Sequence, residues 1–253
     1  MKLKFLGTGT SQGVPVIGCI CDVCISTDPK DTRFRSSVMI TSEKGKKILI
    51  DCGPDFRQQM LTNNEKHIDI TLITHEHNDH VIGLDDMRPL IFKTGRNMPI
   101  YCLERVGNEV KNRFPYAFAD VRYPGAPAFD LHSITNKKFI FEDTEIDPIA
   151  VNHHTLPILG FKFKKLAYIT DASSIEDKDK LKDLDVLIVN CIRKFEPHPA
   201  HFILSDVIEL QKELKPKKMY LTHISHHFGL YNTEEEQLPK GMHFAYDGLE
   251  INF

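Results

Sequence analysis

Short apolar runs recur along the chain, and several of them end at a residue suited to catalysis or metal binding. Residues 68–74 are rich in β-branched side chains, which predicts a buried strand that ends in the histidine-rich sequence THEHNDH. Similar runs lead into three further residues of this kind: Asp51, Asp171 and His223. Because active sites often lie where buried strands end, these positions predict the location of the site.

The histidine-rich sequence has the spacing of a metal site. On a strand, His75 and His77 lie on the same face and can bind one ion, whereas the following turn can direct Asp79 and His80 toward a second. Neutral imidazole and carboxylate groups are ligands for zinc and manganese. The alternative is a polar surface turn that contains several histidines by chance, but the order H-x-H-x-D-H favours metal binding.

The remaining apolar patterns predict a chain that mixes strands and helices. A hairpin is expected over residues 36–51, and a series of antiparallel strands begins near residue 139. Residues 244–247 and 248–251 are predicted to pair with each other as two final strands. Helical spacing covers four segments: residues 54–61, 83–92, 104–114 and 203–214.

Three of the six cysteines crowd into the sequence GCICDVC, as Cys19, Cys21 and Cys24. Three thiolates at this spacing can share one tetrahedral zinc ion with a fourth ligand from elsewhere in the chain. A redox role for the C-x-x-C pair is one alternative, but no thioredoxin-like βαβ pattern surrounds it, and unreactive thiols are the other. The sequence therefore favours a structural zinc site.

A glycine-rich segment, GTGTSQG, follows the first predicted strand at residues 2–6. It suggests phosphate binding, but no Lys-Ser or Lys-Thr pair follows at the Walker spacing and no helical pattern begins there. A tight connection after the strand is the favoured interpretation.

Composition narrows the functional classes. The chain is long enough for one large α/β domain, and we expect residues 1–253 to form a single domain with a well-buried core. With 32 basic and 35 acidic residues, the net charge of the chain is close to zero. It therefore does not favour nucleic acid or an anionic membrane as a partner. No apolar run approaches about 18 residues, and the N-terminus lacks a secretory signal pattern, so a cytoplasmic protein is expected.

The histidine motif and the later strand-end residues together resemble the metallo-β-lactamase superfamily of hydrolases. The resemblance implies an αββα sandwich, in which two mixed β-sheets pack face to face with helices outside. It also implies that Asp51 orients a metal-binding histidine, with a turn-capping aspartate as the alternative. The metal ligands that it implies are His75, His77 and His153 on one ion, Asp79, His80 and His223 on a second, and Asp171 shared by both.

The cysteine motif after the first glycine turn is similar to that of a narrower group, the cyclic phosphodiesterase of bacterial phosphonate breakdown and its relatives. This resemblance implies that His226 is the fourth ligand of the structural zinc and that His201 protonates the leaving group. It favours His153 over His154 as the metal ligand, because relatives carry a histidine seven residues before the glycine that is Gly160 here.

The resemblance further implies hydrolysis of a small phosphodiester, cyclic or open, by a hydroxide that two divalent ions activate. The active-site ions are expected to be zinc or manganese, Asp79 also orients the nucleophile, and one structural zinc occupies the cysteine site. Three alternatives stay open: a cofactor-biosynthesis member of the superfamily, a nuclease resembling the tRNA 3′-processing enzymes, and a non-catalytic metal-binding scaffold. Homodimers are common among the relatives, and His198 and His227 have no assigned role.

Overall fold

The computed structural model describes residues 1–253, which form two mixed β-sheets with helices on their outer faces. This is the metallo-β-lactamase fold that the sequence predicts. The strands are β1 (Lys2–Gly7), β2 (Ser37–Thr41), β3 (Lys47–Ile50), β4 (Ile70–Leu72), β5 (Met98–Cys102), β6 (Phe129–Ser133), β7 (Phe139–Phe141), β8 (Thr144–His153), β9 (Leu156–Phe163), β10 (Leu166–Ile169), β11 (Ser174–Ile175), β12 (Val186–Asn190), β13 (Lys218–Thr222), β14 (Met242–Phe244) and β15 (Glu250–Asn252). The α-helices are α1 (Phe56–Thr62), α2 (Asn78–Val81), α3 (Arg88–Thr94), α4 (Glu104–Arg113), α5 (Leu204–Leu214) and α6 (Tyr231–Glu235).

The strand order explains where the polar strand ends meet. The first sheet has the order β15-β1-β2-β3-β4-β5-β6, and the second has the order β11-β8-β9-β10-β12-β13-β14, with β7 paired to β8. Strands β3 to β6 run parallel in the first sheet, as do β10, β12, β13 and β14 in the second. The carboxyl ends of these strands therefore lie at one edge of each sheet.

Three apolar layers hold the sheets and helices together. The middle layer lies between the two sheets and includes the fully buried side chains of Phe5 and Tyr168. A second layer, which includes Phe56 and Val106, packs α1, α3 and α4 against the first sheet. A third layer, which includes Val207, packs α5 against the second sheet. The chain thus has the four-layer αββα arrangement.

Strand β12 shows why these strands are apolar along their whole length. Val186 and Ile188 belong to the layer between the sheets, whereas Leu187 and Val189 belong to the layer beneath α5. Because side chains alternate along a strand, a strand covered on both faces needs an unbroken apolar run. The first polar residue after such a run therefore marks the end of the strand.

The two last strands differ from the prediction. β14 pairs in parallel with β13 in the second sheet, whereas β15 pairs antiparallel with β1 in the first. Residues 245–249 cross between the sheets, since the Ala245 N–H donates to Leu221 O and the Gly248 N–H donates to Phe5 O. The predicted pairing of residues 244–247 with 248–251 is therefore wrong, because pairing with strands distant in sequence outweighs a local turn.

The helices are short, and the longest is α5 with 11 residues. None of them is both long enough and apolar enough to cross a membrane. The helical segment predicted over residues 83–92 is divided into a 3-10 helix, Ile82–Met87, and α3, which has Pro89 in its first turn. Proline fits the first turn of a helix but not its interior, so a new helix begins next to Pro89. The prediction of helical structure over residues 83–92 is confirmed, but the prediction of one continuous helix is wrong.

Candidate metal centre

The polar side chains of the histidine motif gather at the carboxyl end of β4. Helix α2 begins directly after His77 and turns back toward the strand, so that the rings of His75 and His80 lie 4.2 Å apart. His75 and His80 are fully buried, whereas His77 is exposed and Asp79 is partly exposed. The motif therefore forms a concave group of donors with an opening to solvent.

His75, His77 and His153 form the first donor group. Nε2 of His75 lies 3.0 Å from Nδ1 of His77, and the ring centroid of His153 is 5.4 Å from that of His75 and 5.1 Å from that of His77. Each of the three offers a ring nitrogen within 4.8 Å of the other two. His153 ends β8 of the second sheet, so this group joins the two sheets.

The second donor group surrounds Asp171. Nε2 of His80 lies 3.1 Å from Oδ2 of Asp79 and 3.4 Å from Oδ1 of Asp171. Nδ1 of His223 lies 3.1 Å from the same Asp171 oxygen, while Oδ2 of Asp171 lies 4.0 Å from Nε2 of His75. The Asp171 carboxylate therefore stands between the two groups with one oxygen toward each.

This donor set fits divalent cations. Nε2 of His80 is buried and makes no aligned hydrogen bond, although carboxylates surround it. Buried polar atoms are normally paired, so such a nitrogen indicates a ligand position. Imidazole nitrogens and carboxylate oxygens suit zinc, manganese or iron. Seven side chains of this kind converge: His75, His77, Asp79, His80, His153, Asp171 and His223.

The electrostatics of the cluster also favour a cation. Burial lowers the pKa of His75 well below its ordinary value, so this ring is neutral and its lone pair is available. Burial acts the same way on His80, but Asp79, Asp171 and Asp51 raise the pKa of His80 well above its ordinary value. The carboxylates that stabilise a proton on His80 would stabilise a divalent cation in the same place.

Hydrogen bonds on the far side of the rings fix which nitrogen faces the centre. Nδ1 of His80 lies 2.7 Å from Asp51, whose other contacts are the Thr74 N–H at 2.8 Å and the Thr74 hydroxyl at 2.9 Å. Nδ1 of His153 donates to the carbonyl oxygens of Asp171 and Ala200, at 2.7 and 2.9 Å. In both rings Nδ1 carries a hydrogen and Nε2 faces the centre, where a cation would take the place of any proton on it.

Three of the polar residues that follow strands have a left-handed backbone. Asp51, Asp171 and His223 have φ values of +62°, +57° and +56°, and none of them is glycine. Such conformations are uncommon outside Gly, Asn, Asp and His, and they are concentrated at functional sites. The left-handed conformation changes the direction of the chain at each of these residues and turns the side chain toward the donor groups. The alternation of side chains along a strand does not predict this direction.

The two adjacent histidines at the β8–β9 turn have different surroundings. His153 is 9% exposed and lies in the first donor group, whereas His154 is exposed, has φ +56° and uses its backbone N–H to bond Ser173 Oγ at 3.0 Å. The structure places only His153 among the donors.

His201 lies against the donor groups, and with His153 and Asp171 it offers a third set of candidate donor atoms within 4.8 Å of one another. Its ring centroid is 4.8 Å from those of His153, His198 and His223, and its buried Nδ1 has no hydrogen-bond partner. Burial and the neighbouring His223 lower the pKa of His201 to about 3. The ring is therefore neutral at physiological pH, with a polar atom left for a bound molecule.

The cysteine motif meets His226, as the resemblance implies. The Sγ atoms of Cys19, Cys21 and Cys24 lie 3.3, 3.4 and 3.4 Å from Nδ1 of His226. A tetrahedral zinc site separates its sulfur and nitrogen ligands by about 3.6 Å, so these spacings suit one zinc ion. Burial and the two neighbouring thiols raise the pKa of Cys24 to about 11, and a cation would reverse that penalty.

A cavity of about 430 Å³ opens over the donor groups. Residues 10–12 of the glycine-rich segment line one wall, while His226 and the exposed His227 line another. Arg193 also faces this cavity, and sequence reasoning missed it because no motif surrounds it. The only available signal was its position three residues after Asn190, the last residue of β12.

Comparisons with known proteins identify the family of the chain. Residues 46–224 match the beta-lactamase superfamily domain. A crystal structure of a diphosphatase from the PhnP family has 39% sequence identity and a TM-score of 0.92, covering 100% of this chain and 97% of that one. An octanoyltransferase from Porphyromonas gingivalis (strain ATCC BAA-308 / W83) is 39% identical over 253 residues, which are 99% of this chain and 51% of the relative.

A ribonuclease Z from Clostridioides difficile (strain 630) is 32% identical over 147 residues, which are 55% of this chain and 47% of the relative. The chain thus spans about half the length of the curated relatives it matches. Its similarity to the diphosphatase structure, in contrast, extends over nearly the whole of both chains.

Proposed function

The chain belongs to the beta-lactamase superfamily, and from this premise we propose that it is a metal-dependent hydrolase of small phosphodiesters or diphosphates. Both the fold and the relatives support a hydrolase. The observation that carries the proposal is the convergence of seven donor side chains in two groups around Asp171. This arrangement supports two cations, with His75, His77 and His153 on one, Asp79, His80 and His223 on the other, and Asp171 shared.

Two divalent cations in these positions would supply Lewis acidity for the phosphoryl oxygens and an activated water as the nucleophile. The chain's own residues then have distinct tasks. Asp51 holds the His80 ring in place, and the carbonyl oxygens of Asp171 and Ala200 do the same for His153. The partly exposed Asp79 carboxylate, 3.1 Å from Nε2 of His80, would accept a hydrogen bond from the attacking water and so orient it.

His201 is the residue we assign to the leaving group. Its pKa of about 3 keeps the free ring neutral, so it first donates a hydrogen bond to a phosphoryl oxygen. An anion against the ring raises the affinity of the imidazole for a proton, because nearby negative charge favours the charged form. In the complex, a proton that His201 takes up from solvent would pass to the departing oxygen and leave the ring neutral again.

The size of the cavity supports a small substrate. Its volume of about 430 Å³ lies within the range of small-molecule sites, and its walls are mostly histidine, serine, threonine and glutamine. Polar walls of this kind suit a phosphate ester better than an apolar ligand.

The test is hydrolysis of bis(4-nitrophenyl) phosphate by protein loaded with zinc or manganese. The native chain should release nitrophenolate only when metal is present, and His77→Ala should abolish turnover and lower the bound metal. His67→Ala is the matched control, because His67 is exposed and lies outside both donor groups. Full metal binding without turnover of this ester or of a diphosphate would instead support a non-catalytic scaffold.

We also propose that Cys19, Cys21, Cys24 and His226 hold one structural zinc. The four side chains tie the segment after β1 to the segment after β13, which carries His223. Zinc there would brace one wall of the cavity without taking part in the reaction.

The similarity to ribonuclease Z favours a nuclease as a second candidate. A precursor tRNA with a 3′ extension would distinguish it from the first. Cleavage of this RNA at a rate comparable to that of the small ester would support the nuclease, and turnover of the small ester alone would support the first proposal.

A further inference from the structure

Arg193 is the only lysine or arginine that lines the cavity over the donor groups. It follows β12, and its neighbour Ile192 is held from two sides, since the Ile192 N–H donates to Phe202 O and the Ile192 carbonyl accepts from Ser225 Oγ at 2.6 Å. The backbone that carries Arg193 is therefore fixed relative to the site.

The guanidinium group of Arg193 is also held in place. Its Nε donates to Glu196 O at 2.9 Å and its Nη2 donates to Pro197 O at 3.2 Å. The only carboxylate paired with it is that of Glu196, at 3.6 Å, and the Glu196 side chain is 81% exposed. A surface pair of this kind compensates little charge, so a positive charge and the remaining N–H groups stay available to the cavity.

The same turn delivers His198 next to His201. The Ala200 N–H donates to Nδ1 of His198 at 3.2 Å, so Nε2 carries the hydrogen in the neutral ring. The rings of His198 and His201 lie 4.8 Å apart, and the Ala200 carbonyl accepts from His153 at 2.9 Å. His198 therefore lies beside His201, and both line the same cavity as Arg193.

Residues 11 and 12 add further donors to the same cavity lining. Ser11 and Gln12 line the cavity, and the Ser11 N–H has no hydrogen-bond partner within the chain. The Gln12 N–H has only a long contact of 3.5 Å to Thr10 Oγ1. Backbone N–H groups in a glycine-rich turn can bind an anion even without the lysine of a P-loop.

We propose that Arg193 and His198 form a second anion-binding subsite beside the reacting phosphate, so that the substrate carries two adjacent anionic groups, as a diphosphate does. The inference rests on the proposed function for the position of the first phosphate. Arginine is suited to this task, because its planar guanidinium can donate two hydrogen bonds to one phosphoryl group. A monoester or diester with a single phosphate leaves these donors to water.

The test is a binding measurement that does not depend on turnover. Calorimetry on the metal-loaded full chain would compare methylphosphonate, which has one anionic group, with methylenediphosphonate, which has two. Native protein should bind the diphosphonate more tightly, and Arg193→Gln should lower the ratio of the two affinities at least about tenfold, as expected for a charge-assisted hydrogen bond. The diphosphonate also chelates the metal, but it does so in the native protein and in every variant. The contribution of chelation to the affinity ratio therefore cancels when the ratio of a variant is compared with that of the native protein.

Lys212→Gln is the control, because it removes the same charge from an exposed position on α5 and should leave the ratio unchanged. His198→Ala is the second variant. It should also lower the ratio, and it keeps the proposal testable if Arg193→Gln disturbs the turn at Glu196. Equal affinity of the native protein for the two ligands, or an equal loss for both ligands in each variant, would overturn the subsite.

The two proposals fail separately. A chain that prefers the diphosphonate through Arg193 but hydrolyses neither ester nor diphosphate would retain the subsite and lose the proposed function. A chain that hydrolyses both kinds of substrate with no effect of Arg193→Gln on the ratio would retain the function and lose the subsite.

Discussion

Nδ1 of His80 lies 2.7 Å from Oδ2 of Asp51, and both side chains are completely buried. Burial alone raises the pKa of Asp51, whereas His80 and Thr74 oppose that shift. A buried carboxylate stays ionised only if hydrogen bonds and nearby positive charge compensate its lost hydration, and His80 and Thr74 supply these to Asp51. The contact therefore holds the ring of a proposed ligand in a single orientation.

We expect Asp51→Asn to weaken the site through His80 rather than through direct loss of a ligand. The amide keeps the size of the carboxylate but removes its charge. Removing such an outer partner typically lowers metal affinity or activity by about 10- to 100-fold. Metal titration of the purified variant would measure this effect.

Asp69→Asn is a matched control, because Asp69 is a partly buried acid near the opposite end of β4 that accepts from the Lys47 N–H. It should leave metal affinity unchanged. If Asp51→Asn bound both ions as tightly as the native chain does, the proposed role of the His80 contact would be lost.

His153 and His154 offer a comparison between adjacent residues. His153→Ala removes a member of the first donor group and should lower both activity and metal content, with a loss of activity exceeding about 100-fold because a direct ligand is removed. His154→Ala removes only an exposed ring and should keep both. Metal analysis and hydrolysis of the chromogenic ester would be measured on the two variants side by side, and the reverse result would assign the ligand to His154.

Cys21→Ser should release about one equivalent of zinc and lower the melting temperature. A structural zinc contributes to folding directly, and oxygen is a poorer ligand than thiolate in such sites. Cys102→Ala is the control, since Cys102 is buried in the layer beneath α4, away from the motif, and its replacement should keep the zinc. The melting temperature and the zinc content would be measured on the same samples, and an unchanged zinc content in Cys21→Ser would argue against the site.

Asp247 should make stability depend on pH. It is buried beside Arg33 and accepts from Thr8 Oγ1 at 2.7 Å and from the Phe34 N–H at 2.6 Å. Burial raises the pKa of Asp247 from 3.8 to about 7, with Thr8, Phe34 and Arg33 opposing the shift. The folded chain therefore binds this proton more tightly than the unfolded chain, so the contribution to the free energy of unfolding is complete below about pH 4 and is lost as the pH rises to about 7.

Denaturant unfolding of Asp247→Asn and native protein across this range would measure the effect. Between about pH 4 and pH 8 the native protein should lose up to about 4 kcal/mol of unfolding free energy relative to Asp247→Asn, which has no proton to lose at this position. Each pKa unit corresponds to about 1.4 kcal/mol. A difference that does not change with pH would mean that Asp247 is ionised throughout and paired with Arg33.

The sequence by itself determined most of the strands and the identity of the proposed ligands. Runs such as residues 68–74 and 185–190 are apolar because the strands are covered on both faces, so each run and the polar residue after it could be read locally. The order of His75, His77, Asp79 and His80 could also be read locally, because these four residues are close together in the chain. It indicated metal binding.

Only the tertiary structure decided which distant residues meet. Pairing of β14 and β15 with different sheets depends on strands more than 20 residues away, which no local pattern records. The left-handed backbone at Asp171 and His223 directs their side chains, and the turn at Glu196 brings Arg193 and His198 to one cavity. Contacts between residues far apart in sequence depend on packing of the whole chain, so composition and spacing do not determine them.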